Sequence, residues 1–354
     1  MSVLSFSSGD SRRLDGLLDR AERNLQALEL FSGYLNLCPR FITLDDVQGL
    51  AKDCRLSTRD AYRLLCAAAC GLDEEAESED QGMERDYFRP GIHELDPAEC
   101  RADPYYQTIR LPNVQKNGWR MGYRRIEPCE AFTADNLLLL PDGREVPQLG
   151  YFLEAFDAPM VEQDGREWMT VTPSERNTML GDIAAARGNV AVFGLGLGYY
   201  AFMVSQKPEV ARITVIERDP AVIALFREYI LPQFPNRQKI TLVQADAYDY
   251  AAHMQGFDTA YVDIWHDVLD GVEMYLKMKR LEPASPQTRF LYWIEPSMLS
   301  WLRGMALMEI AENETGPMLQ TIGPVRDYDD LCEKLSQDGI RRIAARIPLE
   351  IARR

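Results

Sequence analysis

The first 72 residues carry apolar side chains at the spacing of a helix. The first such run consists of Leu14, Leu17, Leu18, Ala21, Leu25 and Leu28. A second run follows Thr43-Leu44-Asp45-Asp46, which combines a capping threonine with acidic residues in the first turn. The pattern predicts a small helical bundle over residues 1–72.

An acidic block follows the helical runs. Residues 73–86 read DEEAESEDQGMERD and contain eight acids and one arginine. Charges of one sign at this density repel one another and favour solvated chain. The sequence therefore predicts an acidic linker and loop over residues 73–103.

The hydrophobic period changes over residues 104–174. Runs such as YYQTIRL, GWRMGYRRI and EWMTVT are short and rich in aromatic or β-branched side chains. They are punctuated by the dipeptides Asp142-Gly143 and Asp164-Gly165, which favour hairpin turns. The pattern predicts a small antiparallel β domain. Five basic residues at 105–126 indicate either the water-facing side of this sheet, which we prefer, or a contact surface for an anionic partner.

Apolar strands and amphipathic helices alternate from residue 175 to residue 354. The predicted strands cover residues 190–195, 212–217, 239–244, 258–263 and 289–294. Strands joined by crossover helices form a parallel sheet. The sequence thus predicts an α/β fold with a doubly wound, mostly parallel, Rossmann-like sheet, preceded by the helical bundle and the small β domain.

The net negative charge of the chain bears on whether its partner could be a nucleic acid. The 354-residue chain has a formal net charge of −16 at pH 7, which repels phosphate polyanions and argues against a nucleic-acid partner. A helix-turn-helix can be drawn within residues 43–72, but nine acids balance nine bases over residues 10–63. Because a DNA reader shows a basic face, we favour packing or a homodimer contact for the helical bundle, with the β domain as the other candidate dimer surface.

Cysteine usage and hydropathy indicate where the protein resides. The seven cysteines are scattered without a CxxC pair, and no His, Cys and carboxylate cluster has the spacing of metal ligands. The amino terminus lacks the basic-then-apolar order of a signal peptide, and no window approaches 18 apolar residues. We expect reduced thiols, no metal site, no membrane span and a cytoplasmic location.

A glycine turn carries the strongest chemical signal. In VAVFGLGLGYYAFM, Gly194, Gly196 and Gly198 follow a buried strand and precede a helix. We expect glycine there because a ligand must approach the main chain closely and the chain must turn sharply. Glu217 closes the next strand, 23 residues after Gly194. A carboxylate at that position accepts both hydrogen bonds of a ribose diol. The turn and the acid together predict a nucleoside site.

The type of nucleoside follows from the rest of the motif. Asp246 and Ala247 follow the third strand, where the acid meets an adenine edge. Tyr199 stands where the dinucleotide fingerprint requires a small residue. Instead, the turn resembles that of class I S-adenosylmethionine-dependent methyltransferases over about residues 175–300, and most of all their spermidine-synthase-like branch. The resemblance is carried by GLGLG at 194–198, IERDPAVI at 216–223, YILP at 229–232, DAYDY at 246–250 and FDTAYVDIW at 257–265.

The resemblance implies a methyltransferase-like core that binds S-adenosylmethionine. It implies that Gly194, Gly196 and Gly198 line the methionine part of this cofactor, that Glu217 holds the ribose, and that Asp246 faces the adenine amine. Ala247 lies beside Asp246 in the same predicted contact.

The segment DIWHD supplies the predicted catalytic residues. Asp263 corresponds to the acid that deprotonates the attacking amine in aminopropyltransferases, and its alternative is a helix cap. His266 is a candidate for proton transfer near pH 7, with a solvated loop histidine as its alternative. Asp267 is the candidate second acid. Trp265 is predicted to stack on the cofactor or to fill the seam between helix and sheet.

Tyr199 opens the helix after the turn, so it is also placed among the predicted cofactor contacts, with packing as its alternative. Leu197 occupies the turn position at which aminopropyltransferases carry an acid for the substrate amine, and Asp267 follows Asp263 by four residues instead of three. These departures favour methyl transfer to a small-molecule or protein acceptor over aminopropyl transfer. A catalytically silent nucleoside-binding regulatory module and an RNA methyltransferase are the other open interpretations.

Overall fold

The computed structural model describes residues 6–73 and 79–353. It is an α/β structure in which a five-stranded parallel sheet and its helices follow a helical segment and a β-rich segment. None of the helices within these two ranges is long and apolar enough to cross a membrane.

Three helices open the chain: α1 Ser8–Leu37, α2 Leu44–Cys54 and α3 Thr58–Ala69. Each begins after a hydroxyl side chain that accepts a main-chain hydrogen bond from the first turn, namely Ser7, Thr43 and Ser57. Their apolar faces meet in a core that includes the buried Phe31 and Tyr62. The Tyr62 ring stacks on Tyr151 at 3.7 Å between ring centroids, so these helices share a core with the β-rich segment.

Residues 79–102 form secondary structure, not the predicted linker and loop. They comprise α4 Glu79–Met83, a π-helical turn Glu84–Phe88, α5 Arg89–Gly91, β1 Ile92–Leu95 and α6 Pro97–Ala102. The acidic side chains find basic partners elsewhere in the chain: Arg63 of α3 pairs with Glu84, and Arg144 lies 3.5 Å from Asp86. Tertiary ion pairs therefore offset the local repulsion. The part of that prediction at residues 74–78 lies outside the described residues.

Helix α7, Pro104–Thr108, leads into the β-rich segment. Its strands are β2 Val114–Lys116, β3 Trp119–Ile126, β4 Phe132–Thr133, β5 Leu138–Leu139, β6 Glu145–Val146, β7 Leu149–Phe152, β8 Phe156–Gln163 and β9 Arg166–Thr170. Four of them form an antiparallel sheet in the order β2-β3-β8-β9. The others form the small sheets β1-β7-β4 and β5-β6. The β8–β9 hairpin turns at Asp164 and Gly165, which both have positive φ.

The parallel sheet has the strand order β12-β11-β10-β13-β14. Its strands are β10 Gly188–Phe193, β11 Val210–Glu217, β12 Ile240–Gln244, β13 Thr259–Val262 and β14 Arg289–Tyr292. All five were predicted from the sequence to within two residues at each end. The chain adds strands on one side of β10 and then on the other. Such a reversal opens a crevice for ligands at the carboxyl ends of the strands.

Helices cover the sheet: α8 Pro173–Ala185, α9 Tyr199–Ser205, α10 Pro220–Leu225, α11 Ala247–Ala251, α12 Val268–Lys279, α13 Glu295–Ala311, α14 Pro317–Ile322, α15 Tyr328–Leu335 and α16 Gln337–Ile343. Tyr200 of α9 stacks on Tyr261 of β13 at 3.6 Å between ring centroids. The same buried core extends to Tyr105 of α7, whose hydroxyl donates a hydrogen bond to the Leu197 carbonyl of the glycine turn at 2.8 Å. Helix α7, which precedes the parallel sheet in the chain, therefore packs against the glycine turn and stabilises it.

Candidate functional site

Four predicted site residues follow four neighbouring strands of the parallel sheet. In spatial order they are Asp246 after β12, Glu217 at the end of β11, Gly194 after β10 and Asp263 after β13. Neighbouring strands lie about 4.8 Å apart, so these residues form a row along one edge of the sheet. A cavity of about 330 Å³ opens there. Its lining includes Gly194, Gly196, Glu217, Asp246, Ala247, Asp263, Trp265 and His266.

The three glycines of the turn all have positive φ, in the left-handed region that favours glycine. The φ angles are 92° at Gly194, 48° at Gly196 and 73° at Gly198. A Cβ atom at these positions would collide with other parts of the chain, in order the Asp263 carbonyl oxygen, the Met169 sulfur and the Phe226 ring. The positive φ values agree with the sharp turn that the sequence predicts here. Contacts within the protein also require a residue without a side chain at all three positions, and the predicted approach of a ligand stays a prediction.

Replacing Gly194 with alanine is expected to lower the free energy of unfolding by roughly 3 kcal/mol, because the new methyl group overlaps the Asp263 carbonyl and positive φ strains an L-residue. Chemical denaturation measures the change. The matched control is Gly181→Ala in α8, where a Cβ meets nothing within 4 Å and which should be neutral or slightly stabilising. Equal unfolding free energies for the two variants would contradict this account of the turn.

The Glu217 carboxylate is fixed by main-chain donors. Its Oε2 accepts a hydrogen bond from Leu195 N at 3.2 Å, and its Oε1 accepts one from Asp219 N at 2.8 Å. Burial raises the pKa of Glu217 above its usual range, and these hydrogen bonds act in the opposite direction. The main chain of Arg218 is a third donor to this carboxylate. Since a carboxylate offers about four lone-pair positions, Glu217 retains capacity for a hydroxyl donor from the cavity.

The β12 end of the cavity contains Asp246, Ala247 and Tyr248. Asp246 Oδ1 caps α11 by accepting hydrogen bonds from Tyr248 N at 2.8 Å and Asp249 N at 3.1 Å. Asp246 is exposed, and its Oδ2 has no hydrogen-bond donor among the described residues. The Tyr248 hydroxyl is buried and likewise lacks a partner within the described chain. This end therefore offers one free acceptor and one unsatisfied hydroxyl.

Two carboxyl groups face the β13 end of the cavity. Asp263 follows β13 directly, and Glu175 lies in the first turn of α8. Burial raises the pKa of Asp263 to about 7. The pKa of Glu175 is raised well above its usual range, first by burial and then by the negative charges of Asp263 and Glu167. The sequence analysis missed Glu175, because an acid behind a helix-start proline is also a common partner of the helix dipole.

The β8–β9 hairpin forms one wall of the cavity, which its residues Trp168 and Met169 line. The His266 ring contacts Trp168 of β9 at 4.3 Å between ring centroids. His266 Nε2 lies 3.1 Å from the Glu167 carbonyl, and Nδ1 lies 3.4 Å from Arg166 Nη2. Nδ1 also lies 3.9 Å from the Asp270 carboxylate, so the ring is held from both sides. His266 therefore holds the hairpin against the loop after β13, and its part in proton transfer stays a prediction.

Trp265 and Met169 complete the wall. Trp265 is buried at 6% exposure, and its Nε1 hydrogen has no acceptor among the described residues. Met169 of β9 lies on the glycine turn, where its sulfur accepts a hydrogen bond from Leu197 N at 3.3 Å. Met169 was not predicted from the sequence, because the pattern of a strand does not indicate which distant loop the strand contacts in the folded protein.

Three predicted site residues do not line the cavity. Gly198 lies at the start of α9 against Phe226. Tyr199 is buried in the core, and its hydroxyl donates to Asp103 at 2.9 Å. Asp267 caps α12, accepting hydrogen bonds from two main-chain nitrogens of its first turn. In this structure these residues shape the elements around the cavity and are not placed in its wall.

No protein-family model matches this chain, and a comparison with curated proteins gives no match. Among solved structures, the spermidine synthase from Thermotoga maritima is similar at 14% identity and a TM-score of 0.30, covering 43% of this chain and 59% of that one. A spermidine synthase in complex with the transition-state analogue AdoDATO is similar at 15% identity and a TM-score of 0.30, covering 40% and 59%. A precorrin-8W decarboxylase from Methanobacterium thermoautotrophicum is similar at 22% identity and a TM-score of 0.27, covering 34% and 62%.

This chain covers less than two thirds of each of these structures. A likeness at such TM-scores carries no argument about function. The functional proposals below therefore depend on the residues of the site.

Proposed function

We propose that this chain is an S-adenosylmethionine-dependent methyltransferase of the class I type, acting on a small-molecule or protein acceptor. The observation that supports it is the row of Asp246, Glu217, the glycine turn and Asp263 along four neighbouring strands. This row matches the order of an adenosyl ligand, from base to ribose to the substituted 5′ carbon to the reacting group.

The residues present fit an adenosyl group. The cavity is within the size range of sites for small molecules and offers both donors and acceptors. Glu217 would hold the ribose hydroxyls with its two fixed oxygens, and Asp246 would accept from the adenine amine. Trp265 Nε1 and the Tyr248 hydroxyl have no partner among the described residues and would supply hydrogen bonds to the ligand.

The chemistry divides between the cofactor and the chain. When bound, S-adenosylmethionine supplies a methyl group activated by a sulfonium. Asp263, in its ionised form, would take the proton of the acceptor's nucleophilic atom, since a pKa near 7 suits a base at neutral pH. Burial and the charge of Asp263 raise the pKa of Glu175, so its protonated form is favoured and could donate a hydrogen bond to the acceptor. The indoles of Trp168, Trp265 and Trp293 line the cavity and would keep water from the reacting atoms.

Aminopropyl transfer is the second candidate. It is favoured by Asp263 and Glu175, whose carboxyl groups have no hydrogen-bond donor among the described residues and suit an amine acceptor. It is opposed at Leu197, which takes the place of the amine-binding acid of the turn, is fully buried, and does not line the cavity. A substrate amine therefore has no carboxylate at that position.

Titration calorimetry with the full chain tests the proposal. We expect S-adenosylmethionine and S-adenosylhomocysteine to bind with measurable heat, and decarboxylated S-adenosylmethionine to bind more weakly than either. A clear preference for the decarboxylated compound would instead support aminopropyl transfer. The absence of heat with all three compounds would overturn both candidates.

Asp263 should also make stability depend on pH. Its folded pKa of about 7 exceeds the value of about 3.9 in an unfolded chain, so the folded state holds the proton more tightly between these values. The contribution of Asp263 to stability is therefore full below about pH 4 and is lost as the pH rises toward 7.

We expect Asp263→Asn to be more stable than the wild type by roughly 4 kcal/mol at pH 8, relative to their difference at pH 4. Urea denaturation at both pH values measures this change. A difference between variant and wild type that stays constant with pH would show that Asp263 titrates normally.

A further inference from the structure

Met169 occupies the face of the glycine turn that opens to the cavity. Its sulfur accepts the Leu197 N–H at 3.3 Å. A Cβ atom at Gly196 would lie 2.6 Å from this sulfur, so the thioether rests directly on the glycine main chain. Both Met169 and Gly196 line the cavity. The main-chain donor of the turn is thus already used by the protein.

The position of Met169 relative to Asp246 and Glu217 determines which part of a bound nucleoside it would contact. A nucleoside with its base at Asp246 and its ribose at Glu217 lies over β12 and β11. The next strand in the sheet is β10, so the substituent on the 5′ carbon must lie over the glycine turn. Met169 covers this position, so a long 5′ substituent would collide with its side chain and a short one would not.

The main chain that carries Met169 is well fixed. Met169 pairs with Val161 in the β8–β9 hairpin. Next to it, Trp168 packs edge-on against Trp119 at 5.9 Å and contacts His266 at 4.3 Å between ring centroids. A long substituent must therefore displace the Met169 side chain itself, because moving the strand would break these contacts.

We infer that Met169 determines specificity for the 5′ substituent of the nucleoside: the site accepts a short thioether directly, and a long aminocarboxypropyl tail only after the Met169 side chain leaves Leu197 N. This inference rests on the proposed function, since it assumes an adenosyl ligand in the cavity. It concerns which adenosyl compounds bind well and is independent of which acceptor is used.

The test is calorimetry of two ligands against three proteins. The ligands are S-adenosylhomocysteine, with the long tail, and 5′-methylthioadenosine, with the short one. The proteins are the wild type, Met169→Ala, which vacates the turn, and Met169→Leu, which keeps most of the bulk. Met169→Val is a second shortened variant that suits a β-strand, for use if the alanine variant does not fold.

Met169→Ala is expected to bind S-adenosylhomocysteine about fivefold more tightly than the wild type, because the tail no longer competes with a protein hydrogen bond of about 1 kcal/mol. Binding of 5′-methylthioadenosine should change by less than about threefold. With S-adenosylhomocysteine, Met169→Leu should fall between the wild type and Met169→Ala, because it loses the sulfur acceptor of Leu197 N but keeps most of the bulk over the turn. With 5′-methylthioadenosine it should match the wild type.

The outcomes separate the two proposals. An equal gain for both ligands in Met169→Ala, or weaker binding of S-adenosylhomocysteine, would overturn the role of Met169 and leave the proposed function intact. If neither ligand binds to any of the folded proteins, the proposed function fails, and the inference fails with it.

Discussion

Replacing Glu217 with alanine is expected to weaken the binding of S-adenosylhomocysteine by about 100-fold or more. The proposed site gives both ribose hydroxyls to this one carboxylate, and a hydrogen bond to a charged group contributes about 1.5 to 3 kcal/mol. The substitution also removes the acceptor of Leu195 N, which ties the glycine turn to the end of β11. Titration calorimetry measures the loss.

Two further variants make the Glu217 result specific. Glu217→Gln keeps the shape but not the charge, and it should lose about tenfold in affinity. Glu209→Ala removes a carboxylate whose side chain is 52% exposed and which does not line the cavity, so binding should not change. If Glu217→Ala binds as the wild type does, the ribose does not lie at Glu217 and the proposed row of contacts is wrong.

Replacing Asp263 with asparagine is expected to lower the rate of methyl transfer by about 100-fold to 10,000-fold, the usual contribution of a positioned base. Binding of S-adenosylhomocysteine should stay within about threefold of the wild type, because the adenosyl contacts lie over the other strands. In the wild type the rate should rise with pH through about 7, as Asp263 ionises. Single-turnover assays with an accepted substrate separate the two effects.

Asp267→Asn is the matched control, since Asp267 lies in the same loop but caps α12 outside the cavity lining. It should reduce stability slightly and leave the rate of transfer within about threefold, because asparagine also caps helices well. A larger loss of rate in Asp267→Asn than in Asp263→Asn would reverse the assignment of the base.

The parallel sheet could be predicted because each of its strands can be recognised from a few consecutive residues. Each strand is a short apolar run, and the glycine turn, Glu217 and Asp246 follow directly from the ends of those runs. Strand order then places them in one row. The segment at 79–102 could not be predicted, because its charges are balanced by Arg63 and Arg144, which lie elsewhere in the sequence.

Among the residues of the candidate site, only those that follow strands of the parallel sheet could be predicted from the sequence. Met169 and Glu175 reach the cavity from the hairpin and from α8, and their sequence patterns describe an ordinary strand and an ordinary helix start. Of the three glycines, Gly194 and Gly196 line the cavity and Gly198 does not. Their side-chain positions are filled by Asp263, Met169 and Phe226, contacts that exist only after the chain has folded.

The sharpest test of an adenosyl site in this cavity is a crystal structure of the chain grown with S-adenosylhomocysteine. We expect electron density in the cavity with the adenine beside Asp246 and Ala247 and both ribose hydroxyls within hydrogen-bond distance of the Glu217 carboxylate. Density for the ligand at another surface, or in the cavity with the ribose away from Glu217, would contradict it.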